Sequence, residues 1–147
     1  MAQTTKTSLQ LKRVFKTSPE KLWELWTNPE KVKLWHHPPG FSTSEAEADA
    51  RVGGKYKIGM RSPAGQMDTV FGEFLELDKP RKLVFSWQWE SNLEEKSVVT
   101  VELNPVSEGT ELVLTHEKLS GPESVKAHAE GWDAIIPAID LLVANNN

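Results

Sequence analysis

The chain contains no cysteine, which excludes a disulfide framework, a thiolate metal site and a cysteine nucleophile, and which agrees with a reducing compartment. No apolar run approaches the roughly 20 residues that a membrane-spanning helix needs. Met1 to Ser8 is polar where a secretory signal would carry an apolar core. These absences predict a cytoplasmic protein with no membrane partner. Excess positive charge is missing too: 17 Lys and Arg stand against 21 Asp and Glu, a net charge of −4, which argues against nucleic acid as a partner. Tyrosine occurs once, but tryptophan occurs six times in 147 residues. Rings of that size fill cores or line pockets. The remaining composition, 38% hydrophobic and 26% charged, is that of a soluble globular protein. The length predicts one domain over residues 1–147, with residues 1–7 expected to be flexible.

The longest periodic stretch lies at the end of the chain. Val125, Ala129, Trp132, Ile136, Ile139 and Val143 recur at spacings of four and three, widened by Ile135 and Leu142, and Lys126, Glu130, Asp133 and Asp140 take the other side. This predicts an amphipathic helix over residues 122–143, about 33 Å long, with a broad apolar face to cover. Ser120 and Glu123 stand at capping-box spacing, with Gly121 as an alternative cap and Pro122 suited to the first turn. Pro137 is expected to bend the helix.

Before it, Leu9, Leu11, Arg13 and Phe15 share one face of a strand, and Arg13 there requires either a rim position or a carboxylate partner. Ser18-Pro19-Glu20 and Asn28-Pro29-Glu30 are two helix-start signals, with Leu22, Trp23 and Trp26 on one helical face and Val32 and Trp35 on the next. A meander follows. A polar edge strand runs over Ser42–Asp49, Val52-Gly53-Gly54 turns, and Tyr56, Ile58 and Met60 alternate. Met67–Leu77 is a long strand whose inward face alternation leaves open. Leu83, Phe85, Trp87 and Trp89 share a face, Ser91–Glu95 is a polar hairpin, and strands through Val99–Leu103 and Leu112–His116 complete the series. Antiparallel neighbours joined by short turns need a cover on one face, and only the terminal helix is large enough.

These segments resemble the single-domain relatives of the activator of heat-shock protein 90 ATPase, within the START-like superfamily. The resemblance rests on Ser18-Pro19-Glu20-Lys21-Leu22-Trp23, Thr27 through Trp35, Val52-Gly53-Gly54-Lys55-Tyr56, Phe71-Gly72-Glu73, Pro80 through Trp87, Gly109 through His116, and His128 through Trp132. It implies an α+β helix-grip fold: a curved antiparallel sheet wrapped around a long C-terminal helix, with two short helices after the first strand and a pocket between sheet and helix. Many members of the superfamily bind lipids or other hydrophobic molecules there; some run cyclase or aromatase chemistry, and larger relatives stimulate a chaperone ATPase.

Candidates for chemistry are few. His36 and His37 adjoin, but adjacent side chains diverge and no third ligand stands at a metal-site spacing, so the pair reads as a solvated loop or pocket lid. His116 and His128 could face the cavity as polar anchors or proton donors, although a structural hydrogen bond is the commoner role. Glu73 and Arg13 could pair inside, but charges at a sheet edge explain both. No nucleophile motif, phosphate loop, metal set or cofactor motif is present. The expected function is non-enzymatic binding of a hydrophobic small molecule by Trp35, Tyr56, Met60, Phe85, Trp87, Trp89, His116, His128, Trp132, Ile135, Ile136 and Ile139, and for each ring lining and core filling stay equally open. The alternatives are a chaperone-assisting interaction module and a small cyclase-like enzyme using a cavity histidine. A homodimer is left open.

Overall fold

Residues 2–145 are described by a computed structural model, in which two-residue periodicity builds the sheet and paired Pro-led caps build the first helices. The strands are β1 (Gln3–Thr4), β2 (Leu9–Phe15), β3 (Ser42–Ala48), β4 (Lys55–Arg61), β5 (Met67–Asp78), β6 (Lys82–Trp89), β7 (Asn92–Val106) and β8 (Gly109–Glu117). They form one antiparallel sheet in the order β1-β2-β8-β7-β6-β5-β4-β3. The first long strand therefore pairs the last, with Leu11 opposite Leu114 and Leu9 opposite His116. Gln3 and Thr4 pair with Gln10 and Leu9, so the amino end holds a short strand where only flexible chain is expected.

Helices α1 (Pro19–Thr27) and α2 (Pro29–Val32) start where the capping signals place them. Ser18 Oγ accepts from the Lys21 N–H at 3.3 Å and Asn28 Oδ1 from the Glu30 N–H at 3.0 Å. Each bond satisfies one of the otherwise orphaned donors of a helix start.

The C-terminal helix divides into α3 (Pro122–Ile135) and α4 (Ala138–Asn145), where one bent helix is expected. Pro137 has no N–H to give to the carbonyl four residues back. The chain instead tightens, with the Ile139 N–H bonding Ile136 O at 3.0 Å and the Asp140 N–H bonding Pro137 O at 3.1 Å. The apolar stripe survives the break: Val125, Trp132, Ile135, Ile136, Ile139 and Val143 are all buried. Gly121, without a side-chain cap, takes the N-cap position, so the capping box does not form. Glu95 does its work from the sheet, its Oε2 accepting the Ser120 N–H at 2.7 Å and the Ser124 hydroxyl at 2.6 Å. Burial would raise the Glu95 pKa, but these bonds and the nearby His128 outweigh it and hold the carboxyl below its ordinary range. Glu95 can reach because β7 begins at Asn92, so the polar hairpin expected over Ser91–Glu95 contracts to the turn between Trp89 and Asn92.

Burial settles the inward face of β5: Val70 and Phe74 are buried and Leu75 is exposed, with a register shift following between Phe74 and Glu76. At Gly72 the backbone approaches so closely that a Cβ would stand 2.0 Å from Ser86 O, which only glycine permits. Arg13 meets both of its expected conditions: it is partly exposed and pairs with Asp140 of α4, which overturns any partnership with Glu73. The core lies between the concave face of the sheet and the four helices. Among the described residues no helix is long and apolar enough to cross a membrane.

Candidate ligand-binding site

Alternation along β6 turns Phe85 and Trp87 inward and puts the partly buried Trp89 at the end of the same face. Helix α3 crosses it with His128 and Trp132 one turn apart, the spacing that puts two side chains on one helix face. From the other side, the turn after α2 supplies Trp35 and His36. The Trp87 ring centroid lies 5.0 Å from Trp132, 5.5 Å from Trp89, 5.5 Å from His116 and 5.9 Å from His36.

Two of these histidines are fully committed. The Trp132 Nε1–H donates to His116 Nδ1 at 3.0 Å, so His116 carries its proton on Nε2 and donates to Ser97 Oγ at 2.7 Å; Ser97 in turn donates to Trp87 O at 3.1 Å. The Trp89 Nε1–H donates to His128 Nε2 at 3.1 Å, leaving the Nδ1–H for Ser124 O at 2.8 Å. An indole is a donor only, so each tryptophan fixes the tautomer of its histidine. Burial, then the neighbouring His128, holds the His116 pKa well below its ordinary value. Neither imidazole has a nitrogen left over for a substrate proton, and general acid–base work requires one.

Two adjoining pockets open beside this network and share His36 and Trp87 in their walls. The inner one, about 30 Å³, is bounded by Trp26, Trp35, Tyr56, Phe85 and neighbours. The outer one, about 280 Å³, is bounded by Phe41, Met60, Trp89, His128, Trp132 and Ile135 among others. Hollows of about 320 Å³, sharing Glu47 and Tyr56 with the inner pocket, and of about 440 Å³ are larger but lined in part by lysines of the surface, and they enclose no ring cluster. Gly131 of α3 is in the outer wall, and a Cβ there would meet no atom within 4 Å.

Nine of the twelve expected residues border this double cavity: Trp35, Tyr56 and Phe85 the inner part, Met60, Trp89, His128, Trp132 and Ile135 the outer, and Trp87 both. His116, Ile136 and Ile139 border neither pocket and are buried in the core behind it. The Tyr56 hydroxyl is also committed, donating to Ser86 O at 2.5 Å, and burial raises its pKa. The main correction is His36. It is no solvated loop residue: it is 3% exposed, packed against Trp35 and Trp132, and burial pushes its pKa down to about 4. The signal was present in the spacing, since Val32, Trp35 and His36 stand at i, i+3 and i+4. His37 behaves as the loop reading expects, half-buried, with Nδ1 2.9 Å from Thr43 Oγ1. Trp26 and Gly131 are further wall residues that sequence reasoning left out.

The family model described as "Activator of Hsp90 ATPase homolog 1-like protein" matches residues 16–144. The human activator of 90 kDa heat shock protein ATPase homolog 1 is 30% identical over 127 residues, 84% of this chain and 33% of that protein. The chain thus spans about a third of the length of the curated relatives it matches. Among solved structures, a Rhodobacter sphaeroides protein superposes with a TM-score of 0.88 over 99% of this chain and 97% of that one at 24% identity, a likeness of fold alone. The AHSA1 protein of Silicibacter pomeroyi gives 0.86 over 95% and 99% at 25% identity. With the match running from just after β2 into α4, this chain belongs to the family of Activator of Hsp90 ATPase homolog 1-like proteins.

Proposed function

We propose that this domain binds a small hydrophobic molecule in the double cavity between sheet and α3. The observation that carries the reading is Gly131. A glycine inside a helix costs about 0.5–1 kcal/mol against alanine, and here no close contact demands one: its missing side chain leaves open space in the outer wall. The helix gives up stability at a wall position where no neighbouring atom forces a glycine. The volume is sufficient, since a dry apolar cavity of about 150 Å³ can take benzene, and the outer part alone measures about 280 Å³. Rings on several sides favour a flat or short-chain guest.

The test is a panel of medium-chain fatty acids and mono- and bicyclic aromatics, read by melting temperature and tryptophan emission. Binders raise the first and quench the second. Gly131→Trp, which fills the outer part, abolishes both responses while the protein stays folded. No response from the unmodified protein across the panel would refute the reading.

A second reading rests on the relatives whose names carry activation of a 90 kDa heat shock protein ATPase. This chain matches about a third of them, so it would supply one module of such an activator. Stimulation of that chaperone's ATPase by the purified domain is the measurement, and no stimulation at saturating domain counts against it.

A further inference from the structure

Among the described residues the outer pocket has one formal charge in its wall, that of Asp68. Asp68 stands opposite Met60 in the ladder of β4 and β5, as Val70 stands opposite Ile58. Residues directly opposite on antiparallel strands point to the same face of the sheet, and Ile58, Met60 and Val70 are buried on the concave one. The Asp68 carboxylate is therefore turned toward the cavity, while the next pair of the ladder, Arg61 and Met67, takes the other face. Asp68 is also exposed, so it marks the part of the wall where the pocket meets solvent. Among the described residues no ion pair reaches its carboxylate, and no lysine or arginine lines this pocket.

The other wall residues favour the sign of charge that Asp68 attracts. Phe41, Trp87, Trp89 and Trp132 bring four aromatic rings to the pocket, and a cation that reaches a ring face is held by it. The two imidazoles add no positive charge. His36 is neutral at neutral pH, its pKa being about 4. His128 accepts the Trp89 N–H on Nε2 and spends its one ring proton on Ser124 O. An anionic guest would therefore meet the Asp68 carboxylate and no cation to offset it. We propose that the natural guest of the outer pocket is a protonated amine with a flat apolar body, its ammonium group at Asp68 and its body among Trp87, Trp89, Trp132 and Met60. At the solvent end of the pocket the ammonium keeps part of its hydration, so little desolvation cost opposes the pairing.

This inference rests on the cavity-binding reading, and three probes with one shared body separate the two: naphthylmethylamine, naphthylmethanol and naphthoate. Titration calorimetry at low salt and neutral pH is expected to show the amine binding about fivefold tighter than the alcohol, the size of one solvent-touched ion pair with a ring contact. Naphthoate should bind most weakly of the three. Added salt should shrink the preference for the amine and leave the affinity for the alcohol in place. Asp68→Asn should bring the amine down to the alcohol's affinity without moving the alcohol, and its melting temperature checks that the variant is folded. Asp133→Asn removes an exposed acid of α3 outside both pockets and should leave the preference intact. Equal affinity for amine and alcohol, tightest binding of naphthoate, or a preference that survives Asp68→Asn overturns the amine inference and leaves the cavity reading standing. So does a preference that Asp133→Asn abolishes equally, since the net charge of the chain would then explain it. If none of the three binds, both fall.

Discussion

Two groups of aromatic and imidazole side chains meet at the Trp87 ring and differ in how their polar atoms end. Around His116 and His128 every ring nitrogen has a partner, and the chains run out into Ser97, Trp87 O, Ser124 and Glu95. Around His36, the Nδ1 atom and the N–H groups of Trp26 and Trp87 have none. A satisfied buried network fixes packing; an unsatisfied one stores a cost that only an added partner relieves. The first group ties α3 to the sheet, and the second leaves polar atoms of the core unpaired.

The comparison breaks most visibly at His116. His116→Ala leaves the Trp132 N–H without an acceptor and opens a hole, so chemical denaturation should register a loss of about 3–5 kcal/mol. His36→Phe, which removes no bond, should cost far less. Acid probes the same contrast. The folded His36 pKa, about 4, lies below the ordinary 6.5, so between those values the unfolded chain binds the extra proton and stability must fall as pH falls. At about 1.4 kcal/mol per unit the loss from His36 alone approaches roughly 3 kcal/mol by pH 4, and His116, shifted the same way, adds to it. Below the ordinary carboxyl range Glu95 contributes as well: its depressed pKa stabilises the fold at neutral pH and that contribution disappears on protonation. Melting temperature against pH checks the slope, which His36→Phe should flatten.

A smaller effect sharpens the contrast between two tryptophans. Trp132→Phe orphans His116 Nδ1 and Trp87→Phe orphans nothing, so the first should be the more destabilising by about 1–2 kcal/mol, read from paired denaturation curves. The smallest effect has the opposite sign. Gly131→Ala should raise stability by about 0.5–1 kcal/mol, and calorimetric melting measures it.

Much of the architecture was legible in the residues. Ser18-Pro19 and Asn28-Pro29 mark helix starts by chemistry that acts within one turn, and the alternation through Tyr56, Ile58 and Met60 needs only the pleat of a strand. The errors fall where distant groups decide. Ser120 and Glu123 have capping-box spacing, yet Glu95, 25 residues upstream of Ser120, takes the Ser120 N–H. Pro137 made a disturbance certain, but bend or break depends on how Ile136 and Ile139 pack. The adjacency of His36 and His37 suggests a loop, although the helical spacing of His36 to Val32 already points it inward.

Periodicity, caps and turn residues thus determined the elements, their order and the apolar face of each, because those signals act between residues a few positions apart. Which rings border a space and which merely fill one, and which imidazoles are spent, was decided only in three dimensions. The pairs that settle it, Trp132 with His116 and Trp89 with His128, are separated by 16 and 39 positions, and burial or a hydrogen bond across such distances exists only once the sheet and the helix have closed on each other.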